Sequence, residues 1–300
     1  MFSFTQHQKV FSLSGINIGG QPGQHPTVLF GGLFFKGDPH STDTRHQLQQ
    51  MFELSEQTYI PAIPDLFIRK LSYIDPILRF IEEFIPKKHP FSIDVLDPGI
   101  KPVILQQLAD RNLLERTIYN SIHIGTTREE LKALQKYTPA AAIIVAFNPK
   151  DRSPDGKIEV LENGAHLIDQ GLFAMAKELG ISNILIDTAA LAPGDGSGAA
   201  LAAIPVLKEE YGFPTGCAIH NVVEKSAWLH KFQEIRKIVD AASNMNIPLF
   251  GGDFAVFGPC ELAPYVFPIL AWQNILISEY TETYFGISPS EQHPRRKLTK

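Results

Sequence analysis

Cysteine is scarce in this sequence. Its 300 residues include only Cys217 and Cys260, which are far apart and have no CxxC neighbour. A disulfide framework or a zinc ribbon would require more cysteines at closer spacing. We therefore expect both thiols to be buried packing residues, and we expect the protein to be cytoplasmic.

Clustered positive charge is also missing. The formal net charge is −5, and lysine and arginine are scattered except for the short cluster Arg295, Arg296 and Lys297. Proteins that bind nucleic acid usually present a basic surface that follows the phosphates. Nucleic acid is therefore not an expected partner, and the cluster is interpreted as part of a solvated tail over residues 286–300.

Long apolar runs are absent as well. None approaches the roughly 18 residues that a membrane span requires, and the N-terminus lacks the basic and then apolar pattern of a secretion signal. With 44% hydrophobic and 20% charged residues, the composition is typical of a globular protein. The sequence thus predicts a folded protein without a transmembrane segment.

What the sequence does contain, from Thr27 onward, is an alternation of short apolar runs and amphipathic segments, as expected of βα units with parallel strands. The predicted strands are Thr27–Phe35, Tyr59–Pro64, Phe91–Val95, Thr117–His123, Ala141–Phe147, Asn183–Ile186, Thr215–Ile219 and Pro248–Gly251. The predicted helices are Asp43–Glu56, Arg69–Ile85, Ile100–Asn112, Arg128–Lys136, Gly164–Leu179, Gly198–Tyr211, Ser226–Asn244 and Glu261–Glu279. Eight units favour an α/β fold of the (β/α)8 TIM-barrel type over residues 27–285. Polarity alternation in residues 1–26 predicts a hairpin that plugs one end of the core.

Polar residues follow most of these strands. They are Asp94, Asn120 with Ser121, Asn148, Asp187, His220 with Asn221, and Asp253. A single Asp or Asn there is often only a helix cap or a turn former, but the carboxyl ends of barrel strands converge on one axis. Carboxylates and carboxamides together suit a flat heterocycle with alternating donors and acceptors, such as a pterin.

Other kinds of site have weaker support. The first strand is followed by Lys36-Gly37-Asp38 rather than by an H-x-H pair, and the ten histidines are dispersed, so no bound metal is expected. The glycine-rich stretch 193–199 follows the sixth strand, which favours a turn into a helix over a dinucleotide fingerprint. The segment from Asp38 to Asp43 begins like the D-x-H-x-x-G motif of cobalamin-binding proteins but has Asp where that motif has Gly.

Several short motifs together resemble one known family. They are Ile18-Gly-Gly-Gln-Pro-Gly23 with Pro26-Thr-Val-Leu, Tyr119-Asn-Ser-Ile, Ala146-Phe-Asn-Pro149, Gly156-Lys-Ile-Glu with Leu161-Glu-Asn-Gly164, Ala218-Ile-His-Asn221, and Phe250-Gly-Gly-Asp-Phe with Gly258-Pro259. The sequence is similar over nearly its whole length to the H subunit of tetrahydromethanopterin S-methyltransferase and its bacterial relatives. These include the methylcobamide:tetrahydrofolate methyltransferase of glycine betaine catabolism. More distant relatives are corrinoid-dependent methyltetrahydrofolate methyltransferases and dihydropteroate synthase.

The resemblance implies a pterin-binding barrel and a methyltransferase. The residues that match the pterin-gripping positions are Asp94, Asn120, Asp187 and Asn221, and we expect Asn221 to act at N5 of the pterin. The second-rank candidates are Asn148, Asp253, Ser121 and His220.

The implied reaction moves a methyl group between a methylcorrinoid, methylcobalamin held by a separate corrinoid protein, and N5 of tetrahydrofolate. A subunit specific for tetrahydromethanopterin is the alternative, and a homodimer is expected from related proteins. A metal-dependent barrel hydrolase and a non-catalytic subunit that docks a corrinoid protein remain open.

Overall fold

The N-terminal segment forms an antiparallel hairpin. A computed structural model describes residues 3–35 and 37–299, and in it strand β1 (Val10–Leu13) pairs with β2 (Ile16–Gly19). Leu13 and Ile18 pack among residues from the inside of the barrel. The hairpin therefore closes one end of the core, as the polarity alternation predicted.

Eight parallel strands form the closed barrel, with β10 hydrogen-bonded to both β3 and β9. They are β3 (Val28–Phe34), β4 (Ala62–Phe67), β5 (Phe91–Asp94), β6 (Thr117–Ile122), β7 (Ala141–Val145), β8 (Ile184–Asp187), β9 (Thr215–Cys217) and β10 (Phe254–Pro259). This confirms the predicted (β/α)8 architecture. Both cysteines are buried, as predicted, and burial raises the pKa of each thiol above its ordinary value.

Helices surround the barrel. They are α1 (Thr42–Thr58), α2 (Ile74–Phe84), α3 (Lys101–Asp110), α4 (Arg128–Lys136), α5 (Pro154–Asn163), α6 (Leu172–Glu178), α7 (Ser197–Tyr211), α8 (His220–Glu224), α9 (Arg236–Ser243), α10 (Asn246–Leu249), α11 (Ala263–Phe285) and α12 (Pro294–Leu298). Their apolar faces pack on the outward side chains of the strands in the larger of two buried apolar clusters. The glycine-rich stretch leads into α7 through Gly196, as expected of a turn.

The predicted eighth strand, Pro248–Gly251, is wrong. Residues 246–249 form α10, and the strand is β10, which begins at Phe254. Gly251, with φ of +82°, follows this helix in a conformation that glycine tolerates best. The apolar run before the glycines therefore belongs to a helical turn, and the apolar run after them enters the sheet.

Two predicted helices were also too long. The segment Gly164–Leu179 does not form one helix, because α5 already ends at Gly164, which has φ of +77°, and α6 begins at Leu172. In the segment Ser226–Asn244, only Arg236–Ser243 is α-helical. The residues before it form a short loop with a single 3-10 turn.

Helix α12 contradicts the prediction that the C-terminal basic cluster belongs to a solvated tail. The cluster Arg295–Lys297 lies in α12, where Arg295 donates to the Ser278 carbonyl at 2.9 Å and pairs with Glu282 at 2.5 Å. These contacts tie α12 to α11, so the prediction of a solvated tail is wrong for this cluster. Within the described residues, one helix, 260–285, is long and apolar enough to cross a membrane, and 61% of its apolar window is buried in the protein.

Candidate functional site

The inner faces of the barrel strands carry a polar layer above an apolar one. The smaller apolar cluster includes Ile63, Ile118 and Leu185, and side chains along a strand return to the same face every second residue. Two positions further along, the inner face therefore carries Asp65 on β4, Asn120 on β6 and Asp187 on β8. On β5 the corresponding residues are Ser92, opposite Asp65, and Asp94, opposite Asn120. The sequence thus places acidic and amide groups around the axis at the carboxyl end of the barrel.

Asp65, Asp94 and Asn120 form the centre of this layer. Asn120 Nδ2 lies 3.4 Å from Asp65 Oδ2, while Asp65 Oδ1 is buried and has no hydrogen-bond partner among the described residues. Burial raises the pKa of Asp65 to about 6. Burial, together with the nearby Asp65 carboxylate, raises the pKa of Asp94 to about 8. The two carboxyl groups therefore retain protons more readily than exposed aspartates do.

Asp187 faces the same end of the barrel from β8. Its Oδ1 accepts a 2.7 Å hydrogen bond from the Ala189 amide, and burial raises its pKa to about 6. The buried Lys157 of α5 opposes that shift with its positive charge. Lys157 has a 3.4 Å contact from Nζ to the Ala146 carbonyl. This lysine is thus a buried cation beside a predicted pterin-binding carboxylate.

A cavity of about 610 Å³ opens at the same end, next to β3, β10 and α8. Asn221 and His220 line it, together with Arg69 and Phe34. The Phe34 ring packs on Phe67, with centroids 5.3 Å apart. Phe67 is the register partner of Asp94. The two aromatic rings therefore connect the cavity that contains Asn221 with the polar layer that contains Asp94.

The second-rank candidates have different surroundings. The Asn148 side chain accepts from the amides of Lys150 and Asp151 and donates to the Gly156 carbonyl, which fits a loop-shaping role. For Ser121, the structure shows its carbonyl 3.3 Å from Lys101 Nζ. His220 lies at the cavity and pairs through Nδ1 with Asp240 Oδ2 at 2.6 Å.

Asp253 was expected to follow the eighth strand, and that placement is wrong. It precedes β10 and so lies at the opposite end of the barrel, where both of its carboxylate oxygens contact Lys208 Nζ, at 2.6 and 2.7 Å. Its Oδ2 also accepts from the Thr215 amide. Asp253 therefore joins structural elements and is too far along the strand direction to face the cavity.

Sequence reasoning missed Asp65, Lys157 and Asp240. The second strand was predicted to end at Pro64, but it continues to Phe67, which turns Asp65 inward. The available signal was a single acidic residue within the apolar run 62–68. Lys157 and Asp240 lie on helices, and no pattern in the sequence shows that their side chains reach the strand ends.

Within residues 3–35 and 37–299, no three His, Cys, Asp or Glu side chains are grouped as a metal ion would require. The polar layer instead offers hydrogen-bond acceptors, one amide donor and carboxyl groups with raised pKa values. Such a set can hold the polar edge of a planar heterocycle.

Among solved structures, the fold resembles that of dihydropteroate synthases. Dihydropteroate synthase from Xanthomonas albilineans, in complex with indole-2-carboxylic acid and 6-chloroguanine, is similar with a TM-score of 0.59 and 16% identity over 90% of this chain and 98% of the other. The synthase from Thermus thermophilus gives a TM-score of 0.52 and 14% identity over 84% and 94% of the two chains. At this identity the likeness shows the fold alone.

The closed barrel of eight parallel strands thus defines the fold class, a (β/α)8 barrel of the dihydropteroate synthase type. Residues 6–289 match the family described as tetrahydromethanopterin S-methyltransferase MtrH subunit. The MtrH protein of Methanothermobacter thermautotrophicus is 35% identical over 99% of this chain and 100% of its own length. The corresponding protein of Methanosarcina mazei is 32% identical over the whole of both chains. The chain belongs to this family and is a methyltransferase.

Proposed function

We propose that this chain transfers a methyl group between a methylcorrinoid on a partner protein and N5 of a tetrahydropterin. The main support for the proposal is the polar layer on the inner face of the barrel, formed by Asp65, Asp94, Asn120 and Asp187. Ionised carboxylates accept the N–H groups of a pterin, and an amide both donates and accepts. A carboxyl group that keeps its proton can also donate to a ring acceptor.

The cavity residues complete the site in this proposal. Phe34 and Phe67 offer apolar ring surface next to the polar layer, which suits a planar bicyclic ring. In this proposal Asn221, which is exposed and lines the cavity, faces the methyl donor. The corrinoid supplies the reactivity by exchanging between its methylated cobalt(III) and cobalt(I) states. The chain orients N5 and manages its proton and charge.

The names of the relatives favour tetrahydromethanopterin as the pterin over tetrahydrofolate, which is the cofactor that the resemblance to glycine betaine methyltransferases suggests. The two compounds share the tetrahydropterin ring, so the polar layer accommodates either one. Measuring the affinity of the chain for each compound shows which of the two it binds more tightly. The relatives are also named as subunits, which supports assembly of this chain with other proteins; in this proposal one of these carries the corrinoid.

A homodimer is the second assembly that we propose. Helix α11 exposes a row of large side chains at helical spacing, which includes Tyr265, Trp272, Leu276 and Tyr284. Their exposed fractions run from 42% to 71%. Exposed large aromatic and apolar side chains on one helix are typical of an interface between proteins.

The polar layer is tested by an Asp187→Asn variant. The loss of one charged acceptor is expected to weaken tetrahydropterin binding roughly 10- to 100-fold. Isothermal titration calorimetry with tetrahydrofolate and tetrahydromethanopterin measures this directly and ranks the two pterins. An unchanged affinity of the variant for both pterins would contradict the assignment of Asp187.

The role of Asn221 is tested by an Asn221→Ala variant with free methylcobalamin as the methyl donor. We expect a loss in methyl-transfer rate of roughly 10²-fold with a smaller change in pterin affinity, because the carboxamide stabilises charge that develops at N5. Asn17→Ala, in the hairpin at the other end of the barrel, is the control. If the wild-type chain alone shows no transfer with either pterin, it serves to dock a partner and has no chemistry of its own.

A further inference from the structure

The His220 imidazole is held in one orientation by groups that the proposed pterin site does not use. Its Nδ1 lies 2.6 Å from Oδ2 of Asp240 on α9. Asp240 is 4% exposed, and its Oδ1 is buried without a hydrogen-bond partner in the described part of the chain. A buried carboxylate can only accept, so it fixes the proton of a neutral imidazole on Nδ1 and leaves the lone pair on Nε2.

Backbone packing restricts the same ring from another side. Gly258 of β10 has φ of +87°, and a Cβ atom there would come within 2.4 Å of His220 Cγ. The ring therefore lies directly against the backbone of β10. Two independent contacts, a hydrogen bond to Asp240 and close packing against Gly258, hold a side chain that is only partly buried and lines the cavity. An imidazole held in this way is pre-organised to exchange a proton in a fixed direction.

The surroundings of His220 contain both signs of charge. Asp240 contacts it from α9, Glu224 lies one turn away on α8, and Arg69, Asp38 and Glu261 line the cavity that it faces. The Glu224 carboxylate is itself engaged by Arg236. Asp240 is thus the charged group in direct contact with the imidazole, and it sets the orientation of the ring.

We propose that His220, oriented by Asp240, is the base that removes the proton from N5 of the tetrahydropterin as N5 receives its methyl group. The inference rests on the proposed function and adds the acid–base group to it. Asn221, which is adjacent in sequence and lines the same cavity, holds N5, and His220 Nε2 takes the proton. Asp240 is a positioning residue because it acts through His220.

The N5 lone pair forms a bond to the methyl carbon, and the carbon–cobalt bond breaks with its electron pair remaining on cobalt, which passes from cobalt(III) to cobalt(I). N5 is then a cation that still carries its hydrogen. That proton moves to His220 Nε2, and from there to water at the open cavity. In the reverse direction the imidazolium returns the proton to N5 before the methyl group leaves.

The experiment measures methyl transfer from free methylcobalamin at saturating tetrahydropterin across a range of pH. For wild type we expect the rate to fall in acid, because a base that already carries a proton cannot take one from N5. For His220→Gln we expect the rate to fall roughly 10²- to 10⁴-fold, while pterin affinity changes little. The acid limb should shrink to the part contributed by the titrating carboxyl groups Asp65, Asp94 and Asp187. Asp240→Asn should lose less rate and displace the acid limb, because the ring keeps its nitrogen but loses its orienting charge.

His230→Gln is the matched control, since His230 is an exposed histidine of the same segment that contacts the Glu224 carbonyl. It should keep the wild-type rate and pH profile. A His220→Gln enzyme with the wild-type rate, or with a rate lowered equally at every pH, would overturn the inference and assign the pair a purely structural role. In a His220→Gly enzyme, added imidazole should restore rate, which a structural role does not predict. Failure of the proposed function is distinguished from all of these, because the wild-type chain would then show neither pterin binding nor transfer.

Discussion

At the scale of single residues, the carboxyl groups of Asp65 and Asp94 have the clearest physical consequences. Both point into the barrel, and among the described residues neither is bonded to a cation that would offset burial. The ordinary pKa of an aspartate is 3.8, whereas that of Asp94 is about 8 and that of Asp65 is about 6. Between these values the folded protein binds protons that the unfolded chain has already released.

This difference predicts how stability depends on pH. Since these two carboxyl groups bind more protons in the folded state, their contribution to the free energy of unfolding falls as pH rises through the window from about 4 to about 8. The contribution of each group that is within its window approaches about 1.4 kcal/mol per pH unit. Urea unfolding from about pH 5 to about pH 8 measures how the free energy of unfolding changes with pH. The decrease that comes from Asp94 should be missing in Asp94→Asn. An identical slope in wild type and Asp94→Asn would show that the carboxyl group is not the source.

The residue scale also shows what sequence can predict about this site. Asp94, Asn120 and Asp187 were found because each ends an apolar run, which is a local signal. Asp65 was missed because its strand extends past a proline that marked the predicted end. The hydrogen-bond partner of His220 could not be predicted from the sequence. Asp240 is 20 residues away on another helix, and only the packing of α8 on α9 brings the two side chains together.

At the scale of elements, the buried pair of Lys208 and Asp253 joins three parts of the chain. Lys208 on α7 contacts Asp253 before β10, and it donates to the Gly20 carbonyl after the hairpin at 2.9 Å. Burial and its partner act in opposite directions on Lys208: burial lowers its pKa, and the Asp253 charge raises it. The pair fixes the hairpin to the closed end of the barrel.

Removing one charge of this pair should be costly. Lys208→Met leaves the Asp253 carboxylate buried without its partner, so we expect the free energy of unfolding to fall by about 3–5 kcal/mol. The double variant Lys208→Met with Asp253→Asn should recover part of that loss, because no uncompensated charge remains. Chemical denaturation of the three proteins provides the comparison. A double variant that is less stable than Lys208→Met would contradict the explanation.

The elements themselves were predictable where a pattern was long. α4 was predicted with its observed bounds because its apolar spacing is regular, and in the structure the Thr127 side chain caps it by accepting a hydrogen bond from the Glu130 amide. The eighth strand was misplaced because a short apolar run does not distinguish a helical turn from a strand. The closing hydrogen bonds of β10 to β3 and β9, which decide between the two, join residues more than 200 positions apart at one edge.

At the scale of the whole molecule, the two ends of the barrel have separate tasks. The hairpin and the ion pair of Lys208 with Asp253 close one end, and the cavity, the polar layer and the pair of His220 with Asp240 occupy the other. Variants at the closed end should therefore change stability, and variants at the open end should change binding or rate. Helix α11 belongs to neither end, because its exposed aromatic row lies on the outer wall.

The outer position of α11 makes the proposed homodimer separable from catalysis. Trp272 is 60% exposed, and Trp272→Asp places a charge in the middle of the row, where burial against a second copy would require its desolvation. We expect sedimentation velocity to show a dimer for wild type and a monomer for the variant, with pterin affinity unchanged. Val206→Arg, on the exposed side of α7, is the control and should remain dimeric. A wild-type monomer at micromolar concentration would contradict the proposed assembly, and a Trp272→Asp dimer would place the interface elsewhere on the barrel.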